Sequence, residues 1–144
     1  MIRHAGLIAR RVDGLWRGAL IEGPSGAGKS DLALRALDQG FRLVADDRVL
    51  AWTDGGRLYG RAPETLRGLM EVRGVEVVRV EPVAFCEIVL LARLQVPERI
   101  PDFTTEAILG APVPLLAVAA FETSAPAKLR RAMEAFDAAH KRRI

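Results

Sequence analysis

Gly23-Pro24-Ser25-Gly26-Ala27-Gly28-Lys29-Ser30 fits the pattern GxxxxGK[ST] at every fixed position. Glycines in such a loop let the backbone curl until successive N–H groups converge on one anion. Lys29 would reach the β- and γ-phosphates as a point charge, and Ser30 would offer its hydroxyl to Mg²⁺. The helix that begins here would aim its positive end at the phosphates. The flanks suit this reading. Leu15 to Ile21 is an apolar-rich run fit for a buried strand, and Ser30 to Gln39 predicts a helix with Leu32, Leu34 and Leu37 available to a core. Residues 23–30 therefore predict a nucleotide triphosphate site on a strand-loop-helix unit, while the reaction stays open.

Working outward, residues 5 to 12 and 15 to 21 predict two strands joined at Val12-Asp13-Gly14, since Asp-Gly tolerates the positive φ angles of a tight turn. Gly40 predicts the end of the helix, and Phe41 to Ala45 a short buried strand running into Asp46-Asp47. Arg48 to Trp52 and Arg57 to Tyr59 flank Thr53-Asp54-Gly55-Gly56 and predict a second hairpin. Val75 to Val80 and Phe85 to Leu94 predict further strand, and Pro97 to Thr105 a loop. Ser124 is placed to cap a last helix whose first turn accepts Pro126 and whose Leu129, Met133 and Phe136 share one face. Many strands with few helices predict an α/β fold with a mixed sheet, unlike folds in which strand and helix alternate strictly.

At 144 residues the chain suits one domain, 1–144, and its 50% hydrophobic residues suffice for a core. No apolar run reaches the roughly 18–20 residues that cross a bilayer, and Arg3, Arg10 and Arg11 interrupt any signal-peptide core, so the expected location is cytoplasmic. Cys86 is the single cysteine and stands in an apolar run; it excludes an intrachain disulfide and reads as core filler. Net charge is only +3, with basic residues spread along the chain, which gives no support to nucleic-acid binding. The one dense run, His140-Lys141-Arg142-Arg143, suits the negative end of the last helix better than a docking tail.

A second carboxylate in P-loop enzymes closes an apolar strand and supports Mg²⁺. Asp46-Asp47, ending the strand directly after the P-loop helix, is the one good match. Neighbouring strand residues point to opposite sides, so one acid would face the phosphates while the other supports.

Taken together, Gly23 to Ser30, a helix, and then Arg42-Leu43-Val44-Ala45-Asp46-Asp47 resemble the catalytic domain of HPr kinase/phosphorylase. His4-Ala5-Gly6 resembles that family's His-containing first strand, and Leu69-Met70-Glu71-Val72-Arg73-Gly74-Val75 its signature segment. The resemblance spans about residues 4 to 95. It implies a fold like that of phosphoenolpyruvate carboxykinase and an enzyme that uses ATP and Mg²⁺ to phosphorylate a serine of HPr, the phosphocarrier of the sugar phosphotransferase system. It also implies removal of that phosphate with inorganic phosphate, and assembly as a homo-oligomer, commonly a hexamer. Carried to this chain, Asp46 would be the general base, with His4 beside it tuning its charge. Lys29 would neutralise the transferring phosphoryl group, Ser30, Glu71 and Asp47 would serve the metal, and Arg73 would contact phosphate or a neighbouring subunit.

Two features depart from the family pattern. The first motif lies at His4, so the resemblance implies a short single-domain form with the family's N-terminal domain absent, as in some Gram-negative bacteria, and suggests service to a nitrogen-related branch of the phosphotransferase system. Leu109-Gly110-Ala111-Pro112-Val113-Pro114 stands where relatives carry an arginine in a Pro-Gly-Arg-Asn segment, which favours the kinase direction over the phosphorylase. A small-molecule kinase and a nucleotide-responsive binding module are the competing readings. The first would ignore HPr, and the second would bind ATP without turnover.

Overall fold

In the computed structural model the backbone is described for residues 1–142 and side chains for residues 1–136. The side chains of the His140–Arg143 run lie outside the described residues. The chain runs β1 (Ile2–His4), β2 (Gly6–Val12), β3 (Leu15–Glu22), α1 (Lys29–Leu37), β4 (Arg42–Ala45), β5 (Arg48–Asp54) and β6 (Arg57–Arg61). It continues through β7 (Leu69–Val72), β8 (Glu76–Arg79), β9 (Cys86–Leu94), β10 (Thr104–Ile108), β11 (Ala111–Val118) and α2 (Ala125–Arg142).

Both expected hairpins form, for the reason that their turn residues imply. Asp13 and Gly14 take φ of 52° and 79°, and Gly55 and Gly56 take 60° and 79°, the left-handed pair that matches the twist of two antiparallel strands. Gly40 likewise stops α1 at φ 90°. The main sheet is mixed, in the order β1-β5-β6-β9-β3-β2-β4, with β11 parallel to β9 and β10 antiparallel to β11.

That sheet curls back on itself. Only Ala5 separates β1 from β2, and only Asp46-Asp47 separates β4 from β5. β1 pairs antiparallel with β5 while β2 pairs with β4, and Ala5 N–H donates to the Asp47 carbonyl across the corner at 3.0 Å. The register runs unbroken around this corner, from His4 opposite Arg48 to Leu7 opposite Ala45, and slips just beyond it, where Ile8 pairs with Leu43 and leaves Val44 as the extra residue of a bulge that bends the pair. The inside of the curl is filled by Leu7, Leu20, Val44, Val49, Leu58, Ile88 and Leu91. There is no slack there: a Cβ on Gly18 would stand 2.5 Å from Cys86 Sγ. The outer face, with Ile8, Ile21, Leu43, Leu90 and Ala92, is covered by Leu32, Ala33 and Ala36 of α1 and Leu129 and Met133 of α2. Strands β3 and β9 run parallel between these two layers, which is why Ala19-Leu20-Ile21 and Leu90-Leu91-Ala92 are unbroken apolar runs rather than alternating ones.

Four strands, β1, β7, β10 and β11, are additions to the sequence reading, and β10 begins inside the stretch expected to be loop. β1 is three residues long and too short to show a period. β7 pairs with β8 in a separate two-stranded sheet, so Val75 and Val77 are exposed rather than buried. The last addition, β11, contains Pro112 and Pro114, which argue against strand because proline lacks the N–H of a ladder. The structure accommodates them because β11 pairs with β9 only from Leu115 onward, so no ladder bond to β9 is broken.

Candidate active site

The P-loop leaves the carboxyl end of β3 and turns into α1. Gly26 (φ 82°) and Gly28 (φ 101°) hold conformations that side chains rarely adopt, and Ala27 N–H closes the loop on the Pro24 carbonyl at 3.0 Å. Lys29 Nζ donates to the carbonyls of Gly23 at 2.7 Å and Pro24 at 3.1 Å, so the ammonium is folded over its own loop. Ser30 Oγ donates to Asp46 Oδ1 at 2.8 Å, and the Glu71 backbone N–H donates to Asp46 Oδ2 at 3.0 Å. Asp46 therefore ties the loop, the end of β4 and β7 together with both of its oxygens.

Asp47 is different. Arg48 N–H donates to the Asp46 carbonyl at 2.9 Å around a φ of 73° at Asp47, a γ-turn of the uncommon kind, and Asp47 is exposed. A non-glycine residue held there costs on the order of 1–3 kcal/mol, and such strain concentrates at functional sites. Asp47 lines a cleft of about 270 Å³ with Ser25, Lys29, Ser30, Glu71 and Arg73 among its other walls. Asp46 braces that cleft from outside its lining.

Of the residues singled out from the sequence, the structure gathers Gly26, Gly28, Lys29, Ser30, Asp46, Asp47, Glu71 and Arg73 around one cleft. His4 is not among the residues that line it. It sits exposed on β1 opposite Arg48, and among the described residues no hydrogen bond or ion pair joins it to either aspartate. One wall residue had no signal in its motif context: Phe121, in the loop after β11. Cys86 is buried as core filler, and burial pushes its thiol well above the usual range, which suits no nucleophile.

The residues present fit a Mg²⁺-nucleotide. The loop supplies converging N–H groups with positive-φ glycines, and hard oxygens stand at Ser30, Asp46, Asp47 and Glu71. Among the described residues no three His, Cys, Asp or Glu side chains are gathered into a metal cage. Such a spare donor set is what Mg²⁺ uses when phosphate oxygens and water complete its shell.

Comparison with known proteins agrees with this geometry. The sequence profile described as HPr Serine kinase C-terminal domain matches residues 4–90. The HPr kinase/phosphorylase of Brevibacillus brevis is 50% identical over 64 residues, which are 44% of this chain and 21% of that protein. That of Streptococcus thermophilus is 49% identical over 70 residues, 48% of this chain and 23% of that protein. The matched stretch is thus about a fifth of the length of these relatives. The solved structure of the Hpr(Ser) kinase/phosphatase from Coxiella burnetii superposes with a TM-score of 0.79 at 25% identity, covering 98% of this chain and 99% of that one. Because that profile covers more than half of its residues and the fold superposes over 98% of its length, the chain belongs to the HPr Serine kinase C-terminal domain family.

Proposed function

We propose that this chain transfers the γ-phosphoryl group of ATP to a serine hydroxyl of an HPr-like phosphocarrier, with Mg²⁺ as the metal. The observation that carries this reading is the 2.8 Å contact from Ser30 Oγ to Asp46 Oδ1, which joins the phosphate loop to the acid pair at the mouth of an open cleft. An open cleft suits a protein substrate, whereas a small-molecule kinase needs closure to exclude water.

The two aspartates divide the work. Asp46 holds the Ser30 hydroxyl proton on its own oxygen, leaving the hydroxyl lone pairs for the metal, and serves as a positioning residue. Asp47, exposed in the cleft, is the better placed of the two to accept the proton of the attacking serine. This exchanges the roles that the family resemblance suggests for them. Lys29 leaves its loop carbonyls to neutralise phosphate charge, Ser30 and Glu71 supply oxygens on the metal side, and Arg73, lining the same cleft, contacts phosphate. When bound, Mg²⁺ would offset the negative charge of the transferring phosphate. His4, exposed on β1 beside the Asp47 corner, acts only if the acceptor protein brings the two together. Phosphorolysis with inorganic phosphate uses the same groups in reverse, with Asp47 as the acid.

A homo-oligomer belongs to this proposal, supported by exposed Leu15, Val77 and Phe85, as does a cytoplasmic setting. Among the described residues no helix is long and apolar enough to cross a membrane. The test is transfer of labelled phosphate from ATP and Mg²⁺ to purified HPr. The reading expects label on serine, lost in Asp47→Asn with ATP affinity retained. Tight ATP binding without label on HPr would overturn it in favour of another acceptor or a binding module.

A further inference from the structure

Phe121 is 71% exposed, yet it stands on an ordered loop at the phosphate site. A Cβ placed on Gly28 would meet its ring at 2.8 Å from Cζ and 3.0 Å from Cε1, so the ring edge rests on the P-loop glycine that caps α1. The loop that carries it is pinned from α1: Arg35 donates to the carbonyls of Ala120 and, at 3.0 Å, Glu122, and its Nε bonds Asp31 at 3.0 Å. Glu122 is held in turn by Lys128 at 2.6 Å. Holding a large aromatic side chain in water against a phosphate loop leaves apolar surface uncovered, and the fold does this with four side-chain hydrogen bonds at the base of the loop.

The topology says which part of a ligand the ring meets. β3, β9 and β11 run parallel, and their carboxyl ends carry the P-loop, Gln95-Val96 and Ala119–Glu122 side by side. Ligands of such sheets lie across the carboxyl ends of the strands. Asp46 and Asp47 sit on the other flank of the P-loop, past β2, which puts the reacting γ-phosphate on that side. The nucleoside end must then leave toward β9 and β11, where Phe121 is the aromatic surface against the loop.

Resting on the nucleotide reading above, we propose that Phe121 is the platform on which the nucleobase stacks. Stacking uses the π face common to all bases, so the ring adds affinity without choosing strongly between adenine and guanine.

The experiment is equilibrium binding to the full chain of three ligands, ATP, GTP and inorganic tripolyphosphate, each with Mg²⁺. Phe121→Ala is expected to weaken ATP and GTP by a similar factor, about 5- to 150-fold from the usual range for base-aromatic stacking, and to leave tripolyphosphate within about twofold. Phe121→Trp is expected to restore both nucleotides. Unchanged ATP affinity in Phe121→Ala overturns the proposal, also where the variant shifts the mass by light scattering, since the ring would then belong to an interface between copies. Parallel loss of tripolyphosphate overturns it as well, because the ring would then be shaping the loop. Wild-type protein that binds neither ATP nor tripolyphosphate overturns the phosphate-loop reading itself.

Discussion

Asp46→Asn separates holding the site from running it. The carboxylate accepts from Ser30 Oγ and from the Glu71 N–H, and an asparagine has one oxygen and one NH₂ in those two places. The backbone N–H of Glu71 can only donate, so the amide oxygen must turn to it and the NH₂ must face Ser30. A serine hydroxyl also accepts, so both contacts survive with the Ser30 end reversed. What is lost is the charge assistance, roughly 1 kcal/mol per hydrogen bond at full burial and less for this half-exposed group. Stability should fall by about 1 kcal/mol, a melting shift of about 2–4 °C for a chain of this size. Chemistry should suffer far more. With a lone pair tied to the amide, the Ser30 hydroxyl must turn its proton toward the metal, and the local negative charge is gone. Phosphate transfer is expected to drop by at least about 100-fold, together with the advantage that Mg²⁺ gives to ATP binding. Thermal unfolding, calorimetry of ATP with and without Mg²⁺, and transfer to HPr read the three quantities. Transfer within tenfold of wild type alongside the small melting shift would refute the role given to Asp46, and a loss above about 4 kcal/mol would refute the claim that its contacts survive.

Burial pushes the Cys86 thiol up, so above about pH 9 the unfolded chain releases a proton that the native state keeps. Protons bound in the native state then exceed those in the unfolded state, and relative to Cys86→Ala stability should fall by about 1–1.5 kcal/mol in total between pH 8.5 and 10, the slope steepening toward about 1.4 kcal/mol per unit, as measured by urea unfolding; equal slopes would contradict it. Gly18→Ala puts a methyl 2.5 Å from Cys86 Sγ and 3.0 Å from the Ile8 carbonyl and Leu7 Cδ1, and should cost about 1–3 kcal/mol in denaturant unfolding. Adding Cys86→Ala should recover part of that loss, because the Leu7 and Ile8 contacts persist. Lys29→Ala should weaken ATP and tripolyphosphate alike in a binding titration, which distinguishes it from substitutions at Phe121.

Much of this was legible from neighbouring residues alone. Residues 23–30 gave away the phosphate loop because its geometry rests on glycine φ angles and a local N–H cluster, and the Asp13-Gly14 and Gly55-Gly56 turns were legible for the same reason. The apolar runs of β3 and β9 announced strands buried on both faces, although not that they would lie side by side and parallel. Asp46 and Asp47 were visible as an acid pair, but their separate surroundings come from a corner held by the Ala5 N–H, more than forty residues earlier in the chain. β11 hid behind two prolines whose missing N–H groups matter only if both edges are paired. Phe121 stands about ninety residues from the glycine that it touches, and no periodicity reports such a contact. Short-range stereochemistry and side-chain chemistry are written into the residues themselves, so the sequence by itself determined the ligand-binding loop, the turns and the class of fold. Which charges share a cleft, and which aromatic ring overhangs it, depends on how a curled sheet closes over distances that only its tertiary packing sets.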